Sequence, residues 1–249
     1  MSKHQEYIRI VPQATTAVLF IHGIVGTPDH FRKFIPLIPE NWSVVNLLLD
    51  GHGKTTDDFA KTSMKNWKLQ VKDAFALLKR QHNNIIIVAH SMGTLFAINA
   101  ALEDSTKISH LFLMASPLRV HPKLSAIVTS LKVLFQRVSP DDLRTIGAKD
   151  AYGIEPDPRL WKYLLWIPRY VELLVEIYHT RKIVQKLNSP CTVYQSKKDE
   201  LVAYSSVKIL EKNPKIRTKT LLQSGHFYLT SEDETSVLND FENLCNNIL

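Results

Sequence analysis

The chain has 249 residues, 45% of them hydrophobic and 22% charged, which fits one large globular domain and excludes a disordered or fibrous chain. Lys and Arg number 31 against 24 Asp and Glu, a formal charge of +7, yet no basic run exceeds two residues. A solvated surface explains that balance better than a nucleic-acid footprint.

Cys191 and Cys245 are the two cysteines, with no CxxC and no Cys/His cluster, so neither a disulfide framework nor a zinc site is suggested. Met1 to Ile10 lacks the apolar core of a signal peptide, and no apolar run approaches the ~18–20 residues that cross a bilayer. The expectation is a soluble, cytoplasmic protein, monomer or homodimer, with no nucleic-acid partner and no stable membrane insertion.

Tyr7 to Val11 reads as an antiparallel leading strand. Ala17 to Ile21, Val44 to Leu49, Ile85 to Ala89 and Leu111 to Ala115 are short, rich in Val, Ile and Leu, and free of Gly and Pro, as buried strands are. Trp67, Val71, Ala74, Phe75 and Leu78 fall on one helical face between them. Strands alternating with helices imply a largely parallel sheet covered on both faces.

From Pro117 to Ser189 the rhythm changes. Leu124 to Val138 and Leu160 to Leu187 read as helices, with interruptions at Pro140, Pro156, Pro158 and Pro168. The stretch from Trp161 to Tyr178 holds more apolar surface than one helix stripe needs. Strands return at Cys191 to Gln195 and Arg217 to Leu222, followed by a helix whose inner face carries Val237, Leu238, Phe241, Leu244 and Ile248. This pattern predicts one α/β domain spanning 1–249, interrupted by a helical insertion at about 117–189.

The segment from Ile85 to Leu95 runs a buried strand into Ser91 and an apolar helix out of it. A serine on so sharp a turn presents its hydroxyl above the sheet, and the turn needs small neighbours two residues either side. Ala89 and Gly93 fill those places. Ser91 as a plain helix cap is the competing explanation; the strand and helix around it favour a nucleophile.

A serine hydroxyl needs a base, and the base needs an acid to fix its tautomer. In chain order Ser, acid, His, the partners are Asp199, after the strand ending at Gln195, and His226, after the last strand. Glu200 adjoins Asp199 and is the alternative acid. His82, His110, His121 and His179 read as structural or solvated. His22-Gly23-Ile24-Val25-Gly26 follows the strand ending at Ile21, where a loop of this kind turns amides toward a carbonyl. The backbone N–H groups of Ile24 and Met92 are assigned to an oxyanion hole. His22 orders that loop, and a phosphate-loop reading fails for want of the Walker pattern. Asp50-Gly51-His52-Gly53 reads as a tight turn on the same rim, with His52 structural or touching substrate.

With these residues placed, the sequence resembles the α/β-hydrolase superfamily, and within it the small bacterial carboxylesterase and monoacylglycerol lipase group. The motifs are His22-Gly23, Asp50-Gly51-His52-Gly53, Ala89-His90-Ser91-Met92-Gly93, the Asp199 loop and Ser224-Gly225-His226. The resemblance implies an α/β-hydrolase fold with a mostly parallel eight-stranded sheet, helices on both faces and a helical cap inserted after the sixth strand. It also implies activity on small-molecule carboxylic esters. Ala89 where glycine is usual, and Ile24 where an aromatic residue is frequent, bear on substrate shape. The chemistry expected is acyl transfer from ester to water through Ser91, His226 and Asp199, with no metal or other cofactor. A non-catalytic binder of a hydrophobic ligand and an acyltransferase or amidase are the alternatives. Substrate-binding residues are not assigned.

Overall fold

The computed structural model describes residues 4–248, so the outermost ends of the expected 1–249 span lie outside the described residues. Seven strands form one sheet in the order β1-β3-β2-β4-β5-β6-β7. They are β1 (Tyr7–Arg9), β2 (Thr16–Ile21), β3 (Ser43–Asn46), β4 (Asn84–His90), β5 (Ile108–Met114), β6 (Cys191–Ser196) and β7 (Ile216–Leu221). β1 runs antiparallel to β3 and every other pairing is parallel. Among the described residues the sheet therefore has one strand fewer than the eight expected, and the helical segment comes after the fifth strand instead of the sixth.

Both faces of the central strands are buried, which is why they read as unbroken apolar runs. Alternation assigns the residues. Leu19, Ile21, Ile87, Ala89, Leu111 and Leu113 enter one core, with Trp67, Val71, Phe75 and Leu78 of α2 (Met64–Gln81) and Leu95 and Ile98 of α3 (Met92–Glu103). Val18, Phe20, Ile86, Val88, Phe112 and Met114 enter the other, beneath Phe31, Phe34 and the inner face of α8 (Ser231–Ile248). Phe241 of α8 is fully buried there, its ring 5.1–6.4 Å from those of Phe20, Phe34 and Phe112.

Between β5 and β6 the chain is helical: α4 (Leu124–Leu134), α5 (Leu143–Ala151), a 3-10 turn at Leu160–Trp166 and α6 (Ile167–Ile183). The expected helix to Val138 ends at Leu134. α5 was not foreseen; it starts where the Asp142 side chain accepts the Thr145 amide. Pro168 does not interrupt a helix. It sits in the first turn of α6, where its missing N–H costs nothing.

This segment is fastened to α1 (Thr56–Lys61) by the buried Lys162, which pairs with Asp57 at 2.5 Å and Asp157 at 3.1 Å, and by Trp166 Nε1 donating to the Thr56 carbonyl. α7 (Val207–Leu210) is a single turn before β7. Among the described residues no helix is long and apolar enough to cross a membrane. Replacing Phe241 by Ala should cost about 3–5 kcal/mol, because the ring fills a core that cannot collapse around the cavity. Urea unfolding of the variant measures it.

Candidate active site

The sheet brings the carboxyl ends of β2, β4, β6 and β7 to one edge, where the loops carrying Ile24, Ser91, Asp199 and His226 meet. Ser91 joins β4 to α3 with φ 51° and ψ −124°, a conformation an L-residue adopts only when its surroundings impose it. Gly93 shows what imposes it. A Cβ there would lie 2.2 Å from the Ile21 carbonyl oxygen, so α3 begins with its backbone against the end of β2. The Ser91 side chain does not cap α3. Its carbonyl takes the Thr94 amide and hydroxyl instead, at 2.9 and 2.7 Å, which leaves Oγ free to point over the sheet edge.

Oγ lies 3.0 Å from His226 Nε2, and His226 Nδ1 lies 2.8 Å from Asp199 Oδ2. A carboxylate only accepts, so the proton sits on Nδ1 and Nε2 is left to accept from the serine hydroxyl. Asp199 Oδ1 accepts the amides of Leu201 and Val202 at 2.8 and 2.7 Å. Glu200, the alternative acid, makes no hydrogen bond to the ring. Its Oε2 accepts the main-chain N–H of His226 at 3.0 Å.

Burial alone would push the Asp199 carboxyl up, but the His226 charge, the ring hydrogen bond and the two amides together hold it below its ordinary value. Burial would likewise depress His226. Asp199, through charge and hydrogen bond, and the Glu200 charge outweigh it and raise the imidazole above its ordinary value.

The loop after β2 is a turn closed by the Gly26 amide on the Gly23 carbonyl, with Val25 at φ 52°, a value a β-branched residue rarely holds. The Gly153 amide, just beyond α5, donates to the Val25 carbonyl at 2.8 Å and fastens it. Among the described residues no acceptor takes the amides of Ile24 or Met92, and Ile24 lines the recess beside Ser91. His22 spends both ring nitrogens: Nε2 accepts the Leu49 amide and Nδ1 donates to the Gly23 carbonyl. It orders the loop, as expected. His52 is buried among His22, Phe59 and Trp67 with Nδ1 on the Leu49 carbonyl, a structural position.

Two histidines escaped the sequence reading. His90 donates from Nε2 to the His226 carbonyl at 3.0 Å, and the His30 ring packs on His90 at 4.0 Å. Adjacency to Ser91 was the available signal for His90; His30 lies in a 3-10 turn at Pro28–Phe31, with no motif to mark it.

The recess around Ser91 holds only about 10 Å³, bounded by Ile24, His30, His90, Ala151 and Phe227 among others. Beside it, between α4, the stretch that follows α5, the Leu160–Trp166 turn and α6, lies a cavity of about 320 Å³. Leu131, Leu134, Ile154, Trp166 and Tyr170 supply much of its wall, and Tyr152 also lines it while packing edge-on against Phe227 at 5.2 Å. Among the described residues no three or more His, Cys, Asp or Glu side chains are grouped to hold a metal ion.

The family model described as serine aminopeptidase, S33, matches residues 12–228. The chain belongs to this family of hydrolases. Among curated relatives it is 30% identical over 77 residues to a thermostable monoacylglycerol lipase of Bacillus sp. (strain H-257), covering 30% of this chain and 31% of that one. It is 27% identical over 108 residues to the hydrolase YugF of Bacillus subtilis (strain 168), covering 42% and 39%. The match spans about a third of the length of these relatives.

Among solved structures, a metagenome-derived lipolytic enzyme described with LipS and LipT superposes with a TM-score of 0.74 at 17% identity, covering 98% of each chain. Monoglyceride lipase of Saccharomyces cerevisiae superposes with a TM-score of 0.66 at 18% identity, covering 97% of this chain and 91% of that one. These likenesses establish the α/β-hydrolase fold.

The histidines around Ser91 divide by environment. Burial is the largest cause in each case: it lowers His30 and His52 to about 4 and takes His22 and His90 well below their ordinary value. All four should remain neutral at pH 6, whereas His226 should charge as pH falls through a value above the ordinary 6.5. An NMR titration of the imidazole resonances reads this directly.

Proposed function

We propose that the chain is a serine carboxylic-ester hydrolase acting on lipophilic carboxylesters or monoacylglycerols. The observation that carries the reading is the line Ser91 Oγ, His226 Nε2, His226 Nδ1 and Asp199 Oδ2, at 3.0 and 2.8 Å, with the serine hydroxyl unspent on its helix. In this reading His226 takes the Ser91 proton as Oγ attacks the ester carbonyl. Asp199 holds the Nδ1–H tautomer and stabilises the imidazolium. The Ile24 and Met92 amides receive the oxyanion. His226 then passes its proton to the leaving alcohol, and water repeats the attack on the acyl-enzyme.

The helical segment at 117–189 acts as a cap, inserted in a single domain, and its 320 Å³ cavity takes the acyl chain. An acyl chain there reaches Ser91 past Tyr152 and Phe227. Lipophilic substrates suit the rim, because Leu131, Leu160 and Tyr170 line the cavity and are also exposed. An aminopeptidase substrate, as the family description names, carries an α-ammonium group and needs a buried anion. Glu155, the one carboxylate lining the cavity, is exposed, and the buried Glu200 is spent on the main-chain N–H of His226, which favours an uncharged ester. Two buried free thiols, Cys191 and Cys245, suit a reducing cytoplasm.

Ser91→Ala should lower turnover about 10⁴-fold or more with the fold intact. In a series of p-nitrophenyl and monoacylglycerol esters the wild type should prefer medium acyl chains to acetate. Near-normal turnover in Ser91→Ala, or faster cleavage of aminoacyl anilides than of esters, overturns the reading. Transfer to added alcohols in preference to water would make it an acyltransferase.

The base works only when neutral, so kcat/KM should rise with pH through an apparent pKa above 6.5, following the raised His226. A stopped-time assay from pH 5 to 9 locates this limb.

A further inference from the structure

Glu200 is 2% exposed, and among the described residues no Lys, Arg or His side chain pairs with its carboxylate. A buried carboxylate without a cation is costly, and structures keep one only where something offsets it. Among the described residues its carboxylate takes one hydrogen bond, from the main-chain N–H of His226 to Oε2 at 3.0 Å. The approach depends on Gly225, since a Cβ there would lie 2.9 Å from the same oxygen.

On the other side of the loop Lys123 fixes the backbone. Its amide donates to the Glu200 carbonyl and its Nζ to the Asp199 carbonyl, at 2.8 and 2.7 Å. The backbone that carries Glu200 is thus held in place, and its charge acts on the His226 imidazole and on the Tyr152 phenol.

Resting on the ester-hydrolase reading, we propose that Glu200 is a positioning residue for the reaction. It fixes the main chain of His226 so that Nε2 meets Ser91, and it sets a second negative charge beside the ring as the imidazolium forms. When the Ser91 proton moves to Nε2, the ring becomes a cation facing Asp199 and Glu200. Preorganised charge of this kind favours the charged state without reorganisation at the moment of reaction.

The other titratable groups facing His226 do not supply that effect. His90, from the end of β4, and His30, from the turn after β2, are both held neutral by burial first of all. Lys123 meets the Asp199 carbonyl and not the ring. Burial works against protonation of His226, and the Glu200 charge is one of the contributions that outweigh it.

Glu200→Gln keeps an oxygen that can accept the His226 N–H and removes the charge; Glu200→Ala removes both. The kcat/KM profile of each is measured from pH 5 to 9 with p-nitrophenyl butyrate, and the His226 imidazole is titrated by NMR in the Ser91→Ala background. Glu200→Gln should move the acid limb and the imidazole titration toward lower pH while kcat stays within about 10-fold of wild type. Glu200→Ala should show the same displacement with kcat down about 10- to 100-fold, the cost of a lost charge-assisted hydrogen bond.

A lowered melting point with an unmoved acid limb and an unmoved NMR titration would make Glu200 merely structural and overturn the proposal. Equal kcat losses in the two variants would overturn its positioning part. The NMR titration needs no turnover, so it reads Glu200 even if Ser91→Ala stays active and the ester-hydrolase reading fails.

Discussion

The turn from β4 into α3 is the constraint on which the site depends. β4 lies in the middle of the sheet between β2 and β5, and its residues from Ile85 to Ala89 are fully buried. Packed that tightly, the strand cannot shift to relax the turn at its end. α3 must start against the carbonyls of Ile21 and His22, which is possible only because Gly93 has no side chain. Ser91 absorbs the difference with a positive φ, at a cost of about 1–3 kcal/mol that the buried sheet and helix offset. Its hydroxyl stands clear of the helix as a consequence.

The electrostatics arise from the effect of burial on imidazoles. Five histidines, His22, His30, His52, His90 and His226, crowd the sheet edge. Desolvation disfavours the cation in all of them, and each charged neighbour would disfavour it further in the next. Asp50 raises His52 too little to offset burial, whereas Asp199 and Glu200 together reverse the direction of the His226 shift. The other four serve as neutral donors, acceptors and packing rings: His22 for the loop after β2, His90 for the His226 carbonyl, His30 for His90, His52 for the turn after β3. A single proton-accepting group is thereby isolated in a cluster that could otherwise have shared charge.

The strands were legible because two buried faces leave little room for polar residues, and each expected run overlaps an observed strand. Their ends were less so. Val44 to Leu49 is apolar apart from Asn46, yet the ladder stops at that residue, and Leu47 and Leu49 pack into the core from the loop beyond it. Ser91, Asp199 and His226 were legible from order and from position after strands. His30, His90 and the contact made by Glu200 were not, since they act through main-chain and ring contacts that only the folded geometry brings together. α5 was missed because Leu143–Ala151 is short and polar, with three buried residues, Thr145, Ala148 and Ala151, that form no apolar stripe.

The surplus apolar surface between Trp161 and Tyr178 also resolves on folding. Trp166 and Ile177 enter the core, while Trp161, Leu164, Leu165, Leu174 and Tyr178 remain exposed. A segment that buries so little of itself must be held by specific contacts. Those contacts lead back to the site. Lys162 and Trp166 tie it to α1, and Gly153 ties it to Val25 at the loop after β2 while its own carbonyl takes the Gly53 amide. Val25 needs that hydrogen bond, because its positive φ is unfavourable for a branched side chain. The geometry of the Ile24 amide is therefore set partly by a residue more than a hundred positions away, and any displacement of the helical segment that breaks the Gly153 contact releases the Val25 strain into the loop beside Ser91.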